Sequence, residues 1–224
     1  MKIGILASPA KQNAWMNKQT PAGSFSWVQD SEGHENFDVF VDLDFDNQTS
    51  RINEYANNTH TLFLLGAVKC NLELAFRSNQ QSLSIAQEQG FKAIGINNLC
   101  SFIERNTLEY TNPLNLNVEE IQHIATVLGY PQTECVNSRI GMITPRVVCM
   151  IINEAFYTVQ EGTATEGDID QAMKLGTNYP HGPFEWCDKI GLNDVYETLE
   201  ALYQDTHDER YKICSLLKQR YLRQ

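Results

Sequence analysis

The sequence predicts an α/β amino-terminal half on a mostly parallel sheet, followed by an all-α carboxy-terminal half. Three observations carry this. Short apolar runs alternate with polar, helix-like segments as far as residue 137. Two of those runs are continuous, as strands buried on both faces are. From Ser138 onward the apolar spacing becomes helical and the segments carry recognisable starts and stops. The expected domains are therefore residues 1–137 and 138–224.

The elements follow in order. "KIGIL" (2–6) reads as a buried first strand, the usual way into a nucleotide-binding βα unit. The turn after it, "ASPAKQ" (7–12), has no glycine, so it lacks the G-x-G-x-x-G pattern that lets backbone N–H groups approach a pyrophosphate. Ala7 and Ser8 put Cβ atoms in that space and Pro9 removes a donor. We expect no cofactor to bind there.

"FDVFVDLDF" (37–45) alternates apolar and acidic residues, as a strand emerging at a sheet edge or mouth would. "HTLFLLGAV" (60–68) and "FKAIGIN" (91–97) read as further buried strands, with helix-like "SRINEYANN" (50–58) and "NQQSLSIAQEQG" (79–90) between. Asn117 with Glu120 predicts a capped helix carrying Ile121, Ile124 and Leu128 on one face and stopping at Gly129. A short strand, "QTECV" (132–136), comes next.

The second half opens on "TPRVVCMIINEAFYTVQEG" (144–162), with Thr144 as N-cap and Pro145 at the first helical position. Its apolar face is broad, more than a small domain covers alone, and this predicts a homodimer through the helical half. "TEGDIDQAMKLG" (165–176) is a helix capped by Thr165 with Asp168 in the reciprocal position. "GPFEWCDKIGL" and "DVYETLEALYQDT" supply more helices.

Composition narrows the function. With 17 Lys+Arg against 28 Asp+Glu, the net charge of −11 repels phosphate backbones and anionic lipid, so neither nucleic acid nor membrane is an expected partner. The longest apolar run, "TLFLLGAV" (61–68), is too short to span a bilayer. No basic-then-apolar leader opens the chain. The six cysteines have neither C-x-x-C pairing nor histidines at metal spacing, so no metal site is expected. They read as small, reduced core residues, which places the protein in the cytoplasm.

The most specific stretch is "INEAFYTVQEGTATEGDIDQAMKLGTNYPHGPFEWCDKIGL". Its ordered elements are Asn153, Glu154 and Ala155; Glu161 and Gly162; Asp168 to Asp170; Ala172 to Gly176; Gly182 and Pro183; and Asp188 to Gly191. This stretch strongly resembles the carboxy-terminal domain of the 3-hydroxyacyl-CoA dehydrogenases. The resemblance implies an all-α domain that dimerises and closes one side of an acyl-CoA cleft. It also implies a Rossmann domain carrying NAD, and a His–Glu pair that takes the proton from the 3-hydroxyl as hydride leaves. The plainer reading of the same residues is that they are caps, helix stops and dimer contacts.

The first half resembles that family as a shortened, truncated Rossmann-like outline, without the second strand that carries the ribose-binding acid. Counting along "FKAIGINNLCSFIERNTLEY", the family's catalytic His falls on Asn97 and its Glu on Glu109. Lys69 lies near the family's substrate-contacting hydroxyl, and Arg146 is kept from its Val-Asn-Arg element while Pro145 replaces the Asn. Asn97 and Glu109 are thus the candidate catalytic positions, and Lys69 and Arg146 the candidate substrate-binding ones.

His181 reads as a surface-loop residue. The stripe Tyr179, Phe184 and Trp186 reads as dimer core rather than a ligand platform. Two functions follow. The first is a family member with lost or impaired NAD-dependent oxidation that keeps dimerisation and an acyl-CoA ligand. The alternative is an active, divergent 3-hydroxyacyl-CoA dehydrogenase of fatty-acid metabolism, which would use NAD.

Overall fold

A computed structural model describes residues 1–223. The chain divides into two compact units, Met1–Met142 and Ile143–Gln224. The division falls after the expected boundary at residue 137, because the segment following the last strand stays with the sheet. Gly141 N–H donates to Val68 O at 2.7 Å, and Met142 packs with Ala67 and Val136 in a small apolar cluster.

The first unit is a seven-stranded sheet. In chain order its strands are β1 (Ile3–Leu6), β2 (Ser26–Val28), β3 (Val39–Asp42), β4 (Leu62–Gly66), β5 (Lys92–Ile96), β6 (Thr107–Thr111) and β7 (Gln132–Val136). They lie in the order β2-β1-β3-β4-β5-β6-β7. All neighbours are parallel except β5 and β6. Right-handed crossovers with helices on both faces suit such a sheet.

The helices are α1 (Pro9–Met16), α2 (Ile52–Tyr55), α3 (Leu72–Ser78), α4 (Leu83–Glu88), α5 (Cys100–Ile103) and α6 (Val118–Val127). Residues alternate between two cores along the central strands. Val39, Val41, Leu62, Leu64, Ile94 and Ile96 join Trp15 and Ile121 in one. Phe40, Phe63, Leu65 and Ala93 join Ile52, Tyr55 and Phe76 in the other. Burial on both faces explains why β4 and β5 read as continuous apolar runs.

Several local expectations need correction. β3 ends at Asp42, in the interior of the sheet between β1 and β4, and Asp44 lies beyond it in the turn. A second strand does exist. β2 is three residues long, pairs parallel to β1 at the sheet edge, and is too exposed to show an apolar run. "SRINEYANN" yields only one helical turn, α2, after a 3-10 turn. The Asn117 cap holds as expected, its side chain accepting from the Glu119 and Glu120 N–H groups, and Gly129 follows at φ +83. Of the cysteines, Cys149, Cys187 and Cys214 are buried, Cys70 and Cys100 are half-buried, and Cys135 is exposed.

The second unit is helical: α7 (Thr144–Gln160), α8 (Glu166–Thr177), α9 (Pro183–Ile190), α10 (Leu192–Thr206) and α11 (Ser215–Tyr221). Helix α7 starts one residue earlier than expected, with Ile143 in the cap position and Thr144 already helical. It buries Val148, Cys149, Ile152, Ala155 and Phe156 within its own chain.

The family-like motif residues have structural work. Thr165 and Asp168 form the expected capping box at α8. Asp170, nearly buried, accepts from the Phe184 and Glu185 N–H groups at 2.8 and 3.1 Å, so it caps α9 from a neighbouring helix. Asn153 ties α7 to the segment before α11, donating to Lys212 O and accepting from Cys214 N–H, both at 2.9 Å. Phe184 and Trp186 are core of this unit in the single chain, packed on Phe156 and Tyr179 respectively, so the dimer-core expectation for them is corrected. Among the described residues no helix is long and apolar enough to cross a membrane.

Candidate functional site

At the carboxy-terminal end of β5 the chain leaves the sheet through Asn97 and returns on β6, which carries Glu109 at its centre. The antiparallel pairing of these two strands sets the two residues opposite each other. The Asn97 N–H donates to Glu109 O at 3.0 Å, and its side-chain Nδ2 donates to Glu109 Oε2 at 3.2 Å. Asn97 Oδ1 accepts from Leu99 N–H at 3.3 Å, which fixes the amide's orientation. Both side chains are buried, at 5% and 8% exposure. A buried carboxylate without a donor would be costly, and the Asn97 amide supplies one. Arg105 stands nearby; burial lowers its guanidinium's pKa and the charge of Glu109 raises it. An amide has no basic lone pair to receive a proton at neutral pH, so Asn97 can orient a polar group but not deprotonate one.

The other two candidates have bonds within their own units. The Lys69 ammonium bonds to Asn47 Oδ1, and the Lys69 N–H donates to Asp46 Oδ2 at 3.2 Å, which holds the residue to the turn after β3. Arg146 belongs to the helical unit, where Nη1 donates to the Tyr211 hydroxyl at 2.7 Å. His181 stands edge-on to Trp186, with ring centroids 6.2 Å apart. Among the described residues no group of three or more His, Cys, Asp or Glu side chains could hold a metal.

The residues that sequence reasoning missed sit where β1 meets α1. Ser8 N–H and Ser8 Oγ both bond to the Asp44 carboxylate, the latter at 3.2 Å. Lys11 Nζ lies 3.1 Å from Asp44 Oδ1 and donates to Leu43 O at 2.6 Å, although the residue is only 3% exposed. The aspartate two residues earlier supports this turn. Asp42 is fully buried and accepts from Arg51 Nη1 at 3.0 Å on both oxygens, from the Tyr55 hydroxyl at 2.9 Å and from Asp44 N–H at 3.0 Å. Burial raises the Asp42 carboxyl's pKa while Arg51 and Tyr55 lower it. Asp46 reaches the other way, accepting from Val68 N–H, Lys69 N–H and Asn98 Nδ2. The sequence signal was present in "DLDFDN": three acids at alternate positions, each of which requires a partner.

A mostly parallel sheet with helices on both faces, followed by a separate helical unit, defines a Rossmann-like chain with an added all-α unit. Residues 141–223 match the model of the 3-hydroxyacyl-CoA dehydrogenase C-terminal domain. The chain is 50% identical over 82 residues to the 3-hydroxyadipyl-CoA dehydrogenase of Escherichia coli (strain K12), a match covering 37% of this chain and 17% of that one. It is 41% identical over 77 residues to the 3-hydroxybutyryl-CoA dehydrogenase of Bradyrhizobium diazoefficiens, covering 34% of this chain and 26% of that one. The chain thus matches about a quarter or less of the length of these relatives. The crystal structure of (S)-3-hydroxybutyryl-CoA dehydrogenase from Ralstonia eutropha superimposes with TM-score 0.72 over 99% of this chain and 93% of that one, at 17% identity. At that identity the likeness is one of fold.

Proposed function

We propose that this chain is a 3-hydroxyacyl-CoA dehydrogenase relative that has lost nicotinamide-dependent oxidation and acts as a dimeric acyl-CoA-binding protein. The observation that carries the reading is the Asn97–Glu109 pair. An amide stands where the resemblance places the proton-abstracting imidazole, and loss of a general base is worth ~10²–10⁴ in rate. The turn after β1 supports it as well. Its residues do not fit a dinucleotide, because the α1 end carries Pro9 in place of a donor and Ser8 N–H is already taken by Asp44.

Dimerisation is supported by apolar side chains left outside the helical unit's own core: Val147 at 51%, Ile143 at 57% and Leu175 at 78% exposure. A second copy is the expected cover. Val147→Glu should shift micromolar protein from dimer to monomer in light scattering, and a monomeric wild type would end this part of the proposal.

An assay of NADH oxidation with acetoacetyl-CoA, and of NAD reduction with 3-hydroxybutyryl-CoA, tests the loss of activity. The wild type should give no turnover. Asn97→His should give none either, because hydride transfer needs a nicotinamide held within ~3–3.5 Å of the reacting carbon. Turnover by either would favour the second reading, an active divergent dehydrogenase, to which the names of the relatives point. Thermal shift with CoA and acyl-CoAs tests the remaining ligand, since a molecule that binds only the folded state must stabilise it.

A further inference from the structure

Helix α1 is eight residues long, and its first turn would normally leave N–H groups and a partial positive charge facing solvent or a ligand. Here the chain itself brings a carboxylate to that end, at the N-cap residue Ser8. Asp44 receives Ser8 N–H and Ser8 Oγ, and the buried Lys11 ammonium stands 3.1 Å from its Oδ1. The carboxylate is not loosely placed. Its own N–H is held by Asp42 Oδ1 at 3.0 Å, and Asp42 is pinned by Arg51 and Tyr55. The second Lys11 bond, to Leu43 O, fastens the same turn to the helix from the other side.

We propose that Asp44 is a built-in anion standing where a dinucleotide's pyrophosphate would have to lie, so that the sheet unit is closed to nicotinamide cofactors by its own side chain. This rests on the reading that cofactor binding is lost, and it goes further by assigning the cause. Missing glycines alone would leave a poor phosphate site. Asp44 instead takes the Ser8 N–H and hydroxyl, neutralises the buried Lys11 ammonium and repels a second anion. A phosphate therefore meets a filled, negatively charged position.

The test uses the full chain and two probes, inorganic pyrophosphate and NADH, read by calorimetry and thermal shift. Wild type should show no saturable binding of either at millimolar concentration. Asp44→Ala should bind pyrophosphate about tenfold or more tightly than wild type, because a like charge within a few ångströms has been removed. Adding Lys11→Met should abolish the gain. Asp44→Asn keeps the side chain's shape and its contacts with Ser8, so it remains informative if the alanine variant does not fold, and it should gain in the same direction.

Pyrophosphate binding no tighter in Asp44→Asn and Asp44→Ala than in wild type would overturn the proposal. So would saturable NADH binding by the wild type. The two readings fail separately. Wild-type turnover with NADH would end the loss-of-activity reading, whereas silent Asp44 variants on an inactive, non-binding wild type would end only the role of Asp44.

Discussion

The first helix of the sheet unit starts differently from the helices of the helical unit, although α3, α4 and α6 carry their own caps in Asn71, Ser82 and Asn117. In the helical unit, α8 is capped by Thr165 within its own first turn, and α9 is capped by Asp170 at the 15-residue reach from α8. These caps are motif residues, and the segment containing them matches the family model. In the sheet unit, α1 has no cap from its own Ser8 side chain, and an aspartate from the turn after β3 covers it across 36 residues of sequence. The comparison teaches that a family pattern persists where its residues hold helices in place. At the turn after β1 the contact comes instead from Asp44, on the far side of β3 in the sequence.

Three experiments break or sharpen this contrast. The largest effect is expected from Asp42→Ala, which leaves the Arg51 guanidinium and the Tyr55 hydroxyl without their buried acceptor. Breaking a buried ion pair from one side costs about 3–5 kcal/mol. Urea unfolding should show that loss in the sheet unit, and a change below about 1 kcal/mol would mean the turn is not held by this carboxylate. The next is Asp170→Ala, which strips two N–H groups at the α9 start and should cost about 1–3 kcal/mol in the helical unit. Near-neutral behaviour there would undo the claim that this motif acid is structural.

The last effect, a slope rather than a single loss, concerns Lys18, whose ammonium lies over the Tyr130 and Trp15 rings and donates to Ile103 O at 3.3 Å. Burial lowers its pKa to about 6. The unfolded chain holds that proton up to the ordinary lysine range, so between about pH 6 and 10 the unfolded state binds more protons and stability must rise with pH. Lys18→Met should flatten that rise, by no more than about 1.4 kcal/mol per pH unit for one proton. An unchanged slope, measured by urea unfolding from pH 6 to 9, would show that Lys18 keeps its charge in the fold through the aromatic faces.

The sequence by itself determined the alternation of strands and helices, the buried runs of β4 and β5, the caps at Asn117 and Thr165, and the family resemblance of the helical half. Each is written in contiguous residues, through periodicity, capping chemistry or motif spacing, and local interactions suffice to express it. The juxtaposition of Asn97 with Glu109 was also within reach, because a short antiparallel return constrains it. Tertiary structure alone decided that β2 joins the sheet edge as three exposed residues, that Asp170 caps a different helix from its own, and that Phe184 and Trp186 are core of a single chain. It alone seated Asp44 against Ser8 and Lys11. Hydrogen bonds between side chains distant in sequence leave no period to read; they exist only once packing brings β1 and β3 side by side and a buried N–H or ammonium must find its partner.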